Sequence, residues 1–162
     1  MIDRAKANEI RGMAWTADEG HGRDGAFLDD LDKRNESCVV EVPPNAYVWL
    51  VKPKVLKTPP DNEMGCGKKY PRLRSREREP SEVQNLVTYS PAFRKQTPQK
   101  YRIKETHRGS DVWEVRWAPC WRKTHTEKLV SNQCTLVVAR NILTSEVKYF
   151  LSNHTFASYI NI

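Results

Sequence analysis

One acidic residue stands where metal-dependent chemistry on a phosphate would need it. Asp18 lies in the run Trp15-Thr16-Ala17-Asp18-Glu19-Gly20-His21-Gly22-Arg23-Asp24. A carboxylate at a strand end, followed by a glycine turn and a helix, can hold a divalent ion beside a backbone phosphate. Oxygen ligands and open coordination positions suit Mg²⁺. Two such ions, about 3.5–4 Å apart, activate an attacking water and stabilise the leaving oxygen. One carboxylate is not enough, because it leaves the metals under-coordinated. The plainer reading of Asp18 is a turn or helix-capping aspartate. Glu19 reads as a solvated neighbour and Asp24 as a cap. Glu114, two positions before Arg116, has the look of half a nuclease Glu-x-Lys motif, but a surface strand pair fits it better.

A second chemistry is offered by positive charge. Lys68, Lys69, Arg72, Arg74, Arg76 and Arg78 face only Glu77 over the same stretch. Such a run contacts phosphates and positions a duplex without reading its bases, or it is simply a solvated loop; the two readings weigh equally. The whole chain has a formal net charge of +7, a balance that favours a polyanionic partner through counterion release. Trp113, Trp117 and Trp121 can stack on bases, although the alternate spacing of Trp113 and Trp117 marks core positions on a strand. His107 and His125 read as surface histidines. Cys38, Cys66, Cys120 and Cys134 are too widely spaced for a zinc site with paired ligands. They read as ordinary thiols in a reducing compartment.

The elements that must position these groups follow from hydrophobic spacing. Residues 1–12 read as a helix end that Gly12 can stop. Met13–Ala17 suits a buried strand. Asp24 caps a helix running to about Arg34, with Phe27, Leu28 and Leu31 on one face. Cys38–Val42 is the next strand, ended by Pro43-Pro44. A strand–helix–strand unit of this kind predicts parallel strands with a right-handed crossover, and chemistry in open α/β sheets gathers at the carboxyl ends of strands. That end is where Asp18 lies. Prolines and basic residues then dominate to about Glu82, and the segment reads as an exposed loop. Strands are expected over Tyr101–His107, Val112–Trp117, Thr135–Ala139 and Val147–Leu151. The tail from His154 to Ile162 shows no periodicity, as an out-of-frame ending would. No stretch approaches the ~20 apolar residues of a membrane helix, and no apolar signal core opens the chain, so a cytoplasmic protein is expected.

The runs Ala17–Asp24, Phe27-Leu28 and Val40-Glu41-Val42-Pro43 resemble the region around the second aspartate of DDE-type insertion-sequence transposases. These enzymes have an RNase H-like core. In them the middle catalytic aspartate stands in an Asp-x-x-Tyr-Gly context; Asp18 matches it, and His21 replaces the tyrosine. Val112–Val115, Trp121-Arg122-Lys123, Leu136–Asn141 and Glu146–Asn153 resemble the β-rich insertion of the same family. The resemblance spans most of residues 1–153, in the family's order.

It implies an α/β fold: a partial RNase H-like core over 1–46, a basic proline-rich loop region over 47–98, a β-rich insertion over 99–153 and an irregular tail over 154–162. It implies a transposase that cleaves and joins transposon-end DNA by two-metal phosphoryl transfer with Mg²⁺ or Mn²⁺. Asp18 is the one catalytic and metal-binding residue that carries over. The first catalytic aspartate would lie upstream of residue 1 and the final glutamate downstream of residue 153. The expectation is therefore a truncated, catalytically incomplete chain, with the edges of Met13–Ala17 and Cys38–Val42 left open. Two other readings remain: a non-catalytic DNA-binding or inhibitory partner of a full-length transposase, and an unrelated basic nucleic-acid-binding module.

Overall fold

The computed structural model describes residues 2–8, 12–56, 71–106, 109–124 and 129–154. Cys66, Lys68, Lys69, His107, His125 and most of the expected irregular tail lie outside the described residues. The fold is mixed α/β, dominated by one large sheet.

The strand–helix–strand unit forms where the spacing predicts it. Helix α1 (Ile2–Ala7) leads to β1 (Trp15–Ala17), a one-turn helix α2 (Glu19–Gly22), helix α3 (Gly25–Arg34) and strand β2 (Cys38–Val42). The first strand is shorter than expected: Met13 is highly exposed and outside it. Asp24 caps α3, its Oδ1 accepting from the backbone N–H groups of Ala26 (2.9 Å) and Phe27 (3.3 Å). Asn35 ends the helix at φ 53°, the left-handed conformation common at helix C-termini. Leu28 and Leu31 turn inward and pack with Ile2, Cys38 and Val40. Strand β2 buries Cys38, Val40 and Val42 and half-buries the residues between them. β1 and β2 pair in parallel, Trp15 opposite Cys38 and Ala17 opposite Val40.

The sheet does not stop at β2. Strand β10 (Val147–Ser152) pairs antiparallel with it, Leu151 opposite Val40, and Asn153 Oδ1 accepts from the Cys38 N–H at 2.9 Å. The expected open edge on Cys38–Val42 is therefore corrected: β2 is an interior strand, and β1 lies at the end of the sheet. Beyond β10 come β9 (Cys134–Asn141) and β8 (Gly109–Arg122), with β7 (Gln99–Thr106) also paired to β8. The β9–β10 turn is held by Asn141, whose Oδ1 accepts from the N–H groups of Leu143 and Thr144.

Residues 47–98 hold more structure than a loop. They include β3 (Tyr47–Trp49), β4 (Val55–Leu56), β5 (Arg72–Leu73), β6 (Ser81–Glu82), α4 (Val83–Tyr89) and α5 (Pro91–Arg94). The prolines set boundaries rather than excluding structure. Pro91 opens α5, where its missing N–H costs nothing, and the Ser90 hydroxyl accepts from the Ala92 N–H. Val83 and Phe93 are fully buried and plug the main core beside Val42, Val48, Leu136 and Leu151. β4 and β5 form a separate two-stranded ribbon.

Strand β8 changes its buried side along its length. Trp113 is buried and Trp117 half-buried on one face; Ala118, Cys120 and Arg122 are buried on the other. Cys38, Cys120 and Cys134 are all buried free thiols. Burial pushes each of them up, Cys134 to about 11, so they stay protonated at neutral pH. No helix among the described residues is long and apolar enough to cross a membrane.

Candidate functional site

Asp18 lies immediately after the carboxyl end of β1 and is the N-cap of α2. Its Oδ1 accepts from the His21 backbone N–H at 3.1 Å and meets His21 Nδ1 at 2.8 Å. The carboxylate is nonetheless open to solvent, with 75% of the side chain exposed. The side-chain bond from His21, followed by the backbone bond from the same residue, holds the Asp18 carboxyl below the usual aspartate range. The His21 ring in turn lies against Phe27, with ring centroids 5.2 Å apart. The imidazole thus gives the Asp18 carboxylate a side-chain partner.

Why the chain turns here follows from one glycine. α2 runs directly against β2, and a Cβ added at Gly22 would lie 1.9 Å from the Glu41 carbonyl oxygen. Only glycine permits that approach. It fixes the one-turn helix that Asp18 caps.

The neighbouring acids have other occupations. Glu19 pairs with Arg23 one turn along, Asp24 caps α3, and Glu114 faces Lys100 across the β7–β8 pair at 4.0 Å. Among the described residues no group of three or more His, Cys, Asp or Glu side chains is placed to hold a metal ion. Asp18 alone does not make a divalent-metal centre. The residues described thus offer one exposed, ionised carboxylate at a strand end.

The basic candidates divide. Arg72, Arg74, Arg76 and Arg78 are exposed on β5 and the segment after it, whereas Lys68 and Lys69 lie outside the described residues. This segment is anchored by Trp49, whose Nε1 donates to the Arg78 carbonyl at 2.8 Å. Beside it is a cavity of about 470 Å³, lined by Trp49, Val51, Arg78, Asn85, Leu86 and Tyr89 among others. Sequence reasoning missed this cleft, because its walls come from β3, the β5–β6 segment and α4, three short elements without a strong periodic signal. Trp121 is opposite Trp49 in the β3–β8 register rather than stacked with Trp113.

A family model described as DDE superfamily endonuclease matches residues 1–110. This chain belongs to the DDE superfamily endonucleases. The matched stretch contains Asp18, the whole strand–helix–strand unit and the exposed arginines. It ends within β8, so the likeness to the family's β-rich insertion beyond that point stands on the sequence motifs. No curated protein and no solved structure matches the chain. Membership of the DDE superfamily implies nuclease chemistry of the transposase type, with DNA as substrate and divalent metal ions as the usual cofactor. The mixed α/β fold, with a parallel strand–helix–strand unit extended by antiparallel strands, agrees with a partial RNase H-like core.

Proposed function

We propose that this chain contributes Asp18 to the metal centre of a transposase that cleaves and joins transposon-end DNA. The observation that carries the reading is the position of Asp18: inside the matched family region, just past the carboxyl end of a parallel strand, ionised and open to solvent. Mg²⁺ or Mn²⁺ would supply the Lewis acid and the activated water. Among the described residues no further acidic side chains gather with Asp18 into a metal-binding group, and on this reading the chain alone does not cut. What the chain's own residues do is hold and present one ligand. His21 fixes the rotamer of Asp18, Gly22 fixes the turn, and Arg72, Arg74, Arg76 and Arg78 contact DNA phosphates. On the same reading residues 1–46 belong to the catalytic core and 99–153 to an insertion.

The test is a titration of the purified chain with Mn²⁺ in the presence of transposon-end DNA, followed by NMR. Selective broadening of the Asp18 carboxyl resonance relative to Asp24 is expected, and equal broadening of both would remove Asp18 from the metal-binding role. A cleavage assay runs beside it. Metal-dependent cutting by this chain that vanishes in Asp18→Ala would overturn the proposed inability to act alone.

The exposed arginines favour a second reading, in which the chain is a DNA-binding or inhibitory partner of a full-length transposase. In that case Asp18→Ala leaves inhibition of the intact enzyme unchanged, while Arg74→Ala and Arg76→Ala relieve it.

A further inference from the structure

Three features meet at the cleft beside α4. The first is its shape: about 470 Å³, within the roughly 300–1,000 Å³ of small-ligand pockets. The second is its lining. Tyr89 is 73% exposed and Val51 79% exposed, so aromatic and aliphatic surface stands open at the rim while Trp49 is buried in the wall. Asn85, Ser90 and Glu79 add an amide, a hydroxyl and a carboxylate. The third is charge. Arg72, Arg74 and Arg76 precede Arg78 along the segment that borders the cleft, all four are exposed, and none has an ion-pair partner among the described residues.

A flat apolar group with hydrogen-bonding edges, joined to a polyanion, fits all three. We propose that this cleft receives one unpaired nucleobase of a DNA strand, stacked on Tyr89, while the strand's phosphates run along Arg72, Arg74, Arg76 and Arg78. Base–aromatic stacking tolerates any base, since every base has a π-face. The amide, hydroxyl and carboxylate at the rim can meet the donors and acceptors of a base edge that pairing would otherwise occupy. A fully paired duplex can engage the arginines but cannot offer its bases to the cleft. The buried Trp49 matters differently: its bond to the Arg78 carbonyl holds the arginine segment against the pocket wall.

The inference takes from the functional reading only that the strand is DNA, and its test omits metal so that the two can fail separately. The full chain is titrated into a blunt duplex and into the same duplex carrying one unpaired fluorescent adenine analogue. Tighter binding of the second, with quenching of the analogue, is expected. Tyr89 is exposed, so Tyr89→Ala should fold normally; it should reduce the preference for the unpaired base by about tenfold and abolish quenching. Tyr89→Phe keeps the ring and should restore both. Arg74→Ala and Arg76→Ala should weaken both duplexes alike and flatten the salt dependence. Equal affinity for the two duplexes without quenching, or a preference that survives Tyr89→Ala, overturns the inference and leaves the role of Asp18 standing. Loss of Asp18-selective Mn²⁺ broadening with the Tyr89-dependent preference intact does the reverse.

Discussion

The Arg122 guanidinium and the Asp29 carboxylate meet inside the fold, each with only 6% of its side chain exposed. Arg122 also donates to Asp32 at 2.6 Å, so one fork from β8 grips two carboxylates one turn apart on α3. This is the link between the helix that follows Asp18 and the antiparallel strands. Removing one partner of a buried pair leaves the other charged and desolvated, at a cost of about 3–5 kcal/mol. Arg122→Leu should therefore lower the urea midpoint markedly. Arg34→Ala is the control. Arg34 pairs with Asp3 and Asp30, both largely exposed, and such surface pairs contribute about 0–1 kcal/mol. Similar midpoints for the two variants would show that the buried fork is not what holds α3.

Gly22→Ala should destabilise the chain by about 1–3 kcal/mol, the usual cost of forcing extra atoms into a packed contact. The added methyl would fall on backbone, the Glu41 carbonyl, and not on a side chain that can swing away. Gly20→Ala is the comparison, since the nearest atom there is Asp18 Oδ1 at 3.3 Å. Denaturant unfolding should rank Gly22→Ala well below Gly20→Ala; the reverse order would refute the close approach of α2 to β2.

The Asp18–His21 contact makes a pH prediction with a definite sign. The folded state holds the Asp18 carboxyl below its ordinary value, chiefly through the His21 side chain. The unfolded chain therefore takes up this proton first as pH falls. The contact stabilises the fold above the ordinary aspartate pKa of about 3.9 and loses that contribution as pH drops through the lowered value. His21→Ala should raise the Asp18 pKa in a carboxyl NMR titration. Its stability difference from the unaltered chain should be present at neutral pH and vanish in acid. An unchanged Asp18 titration in His21→Ala would remove the contact as the cause.

Much of the region around Asp18 was legible because its signals are local. Leu28 and Leu31 mark one face of α3, Asp24 precedes it as a cap, and Cys38, Val40 and Val42 alternate before Pro43. Strands β9 and β10 were legible within a residue or two for the same reason. α2 was not, since four residues with two glycines carry no periodicity, and neither was α4, where Val83, Val87 and Thr88 lower helix propensity. Packing against the sheet decides that helix: Val83 is fully buried at its start. The Arg122 fork was invisible for another reason, as its partners lie 93 and 90 positions away. A faint signal existed, because Arg122 continues the alternation of Ala118 and Cys120 on the inward side of β8. The open edge expected on β2 failed in the same way. Nothing near Val42 announces that a strand more than a hundred positions later will cover it.

That late partner governs when the protein can fold. Cys38 bonds to Asn153, 115 positions further on, and β2 has no second neighbour until β10 has emerged from the ribosome. Contacts so distant along the chain slow folding, because a long loop must close before they form. During synthesis the β1–β2 pair waits with α1 and α3 against Cys38 and Val40 but with Val42 still uncovered, a natural substrate for chaperones that hold nascent chains.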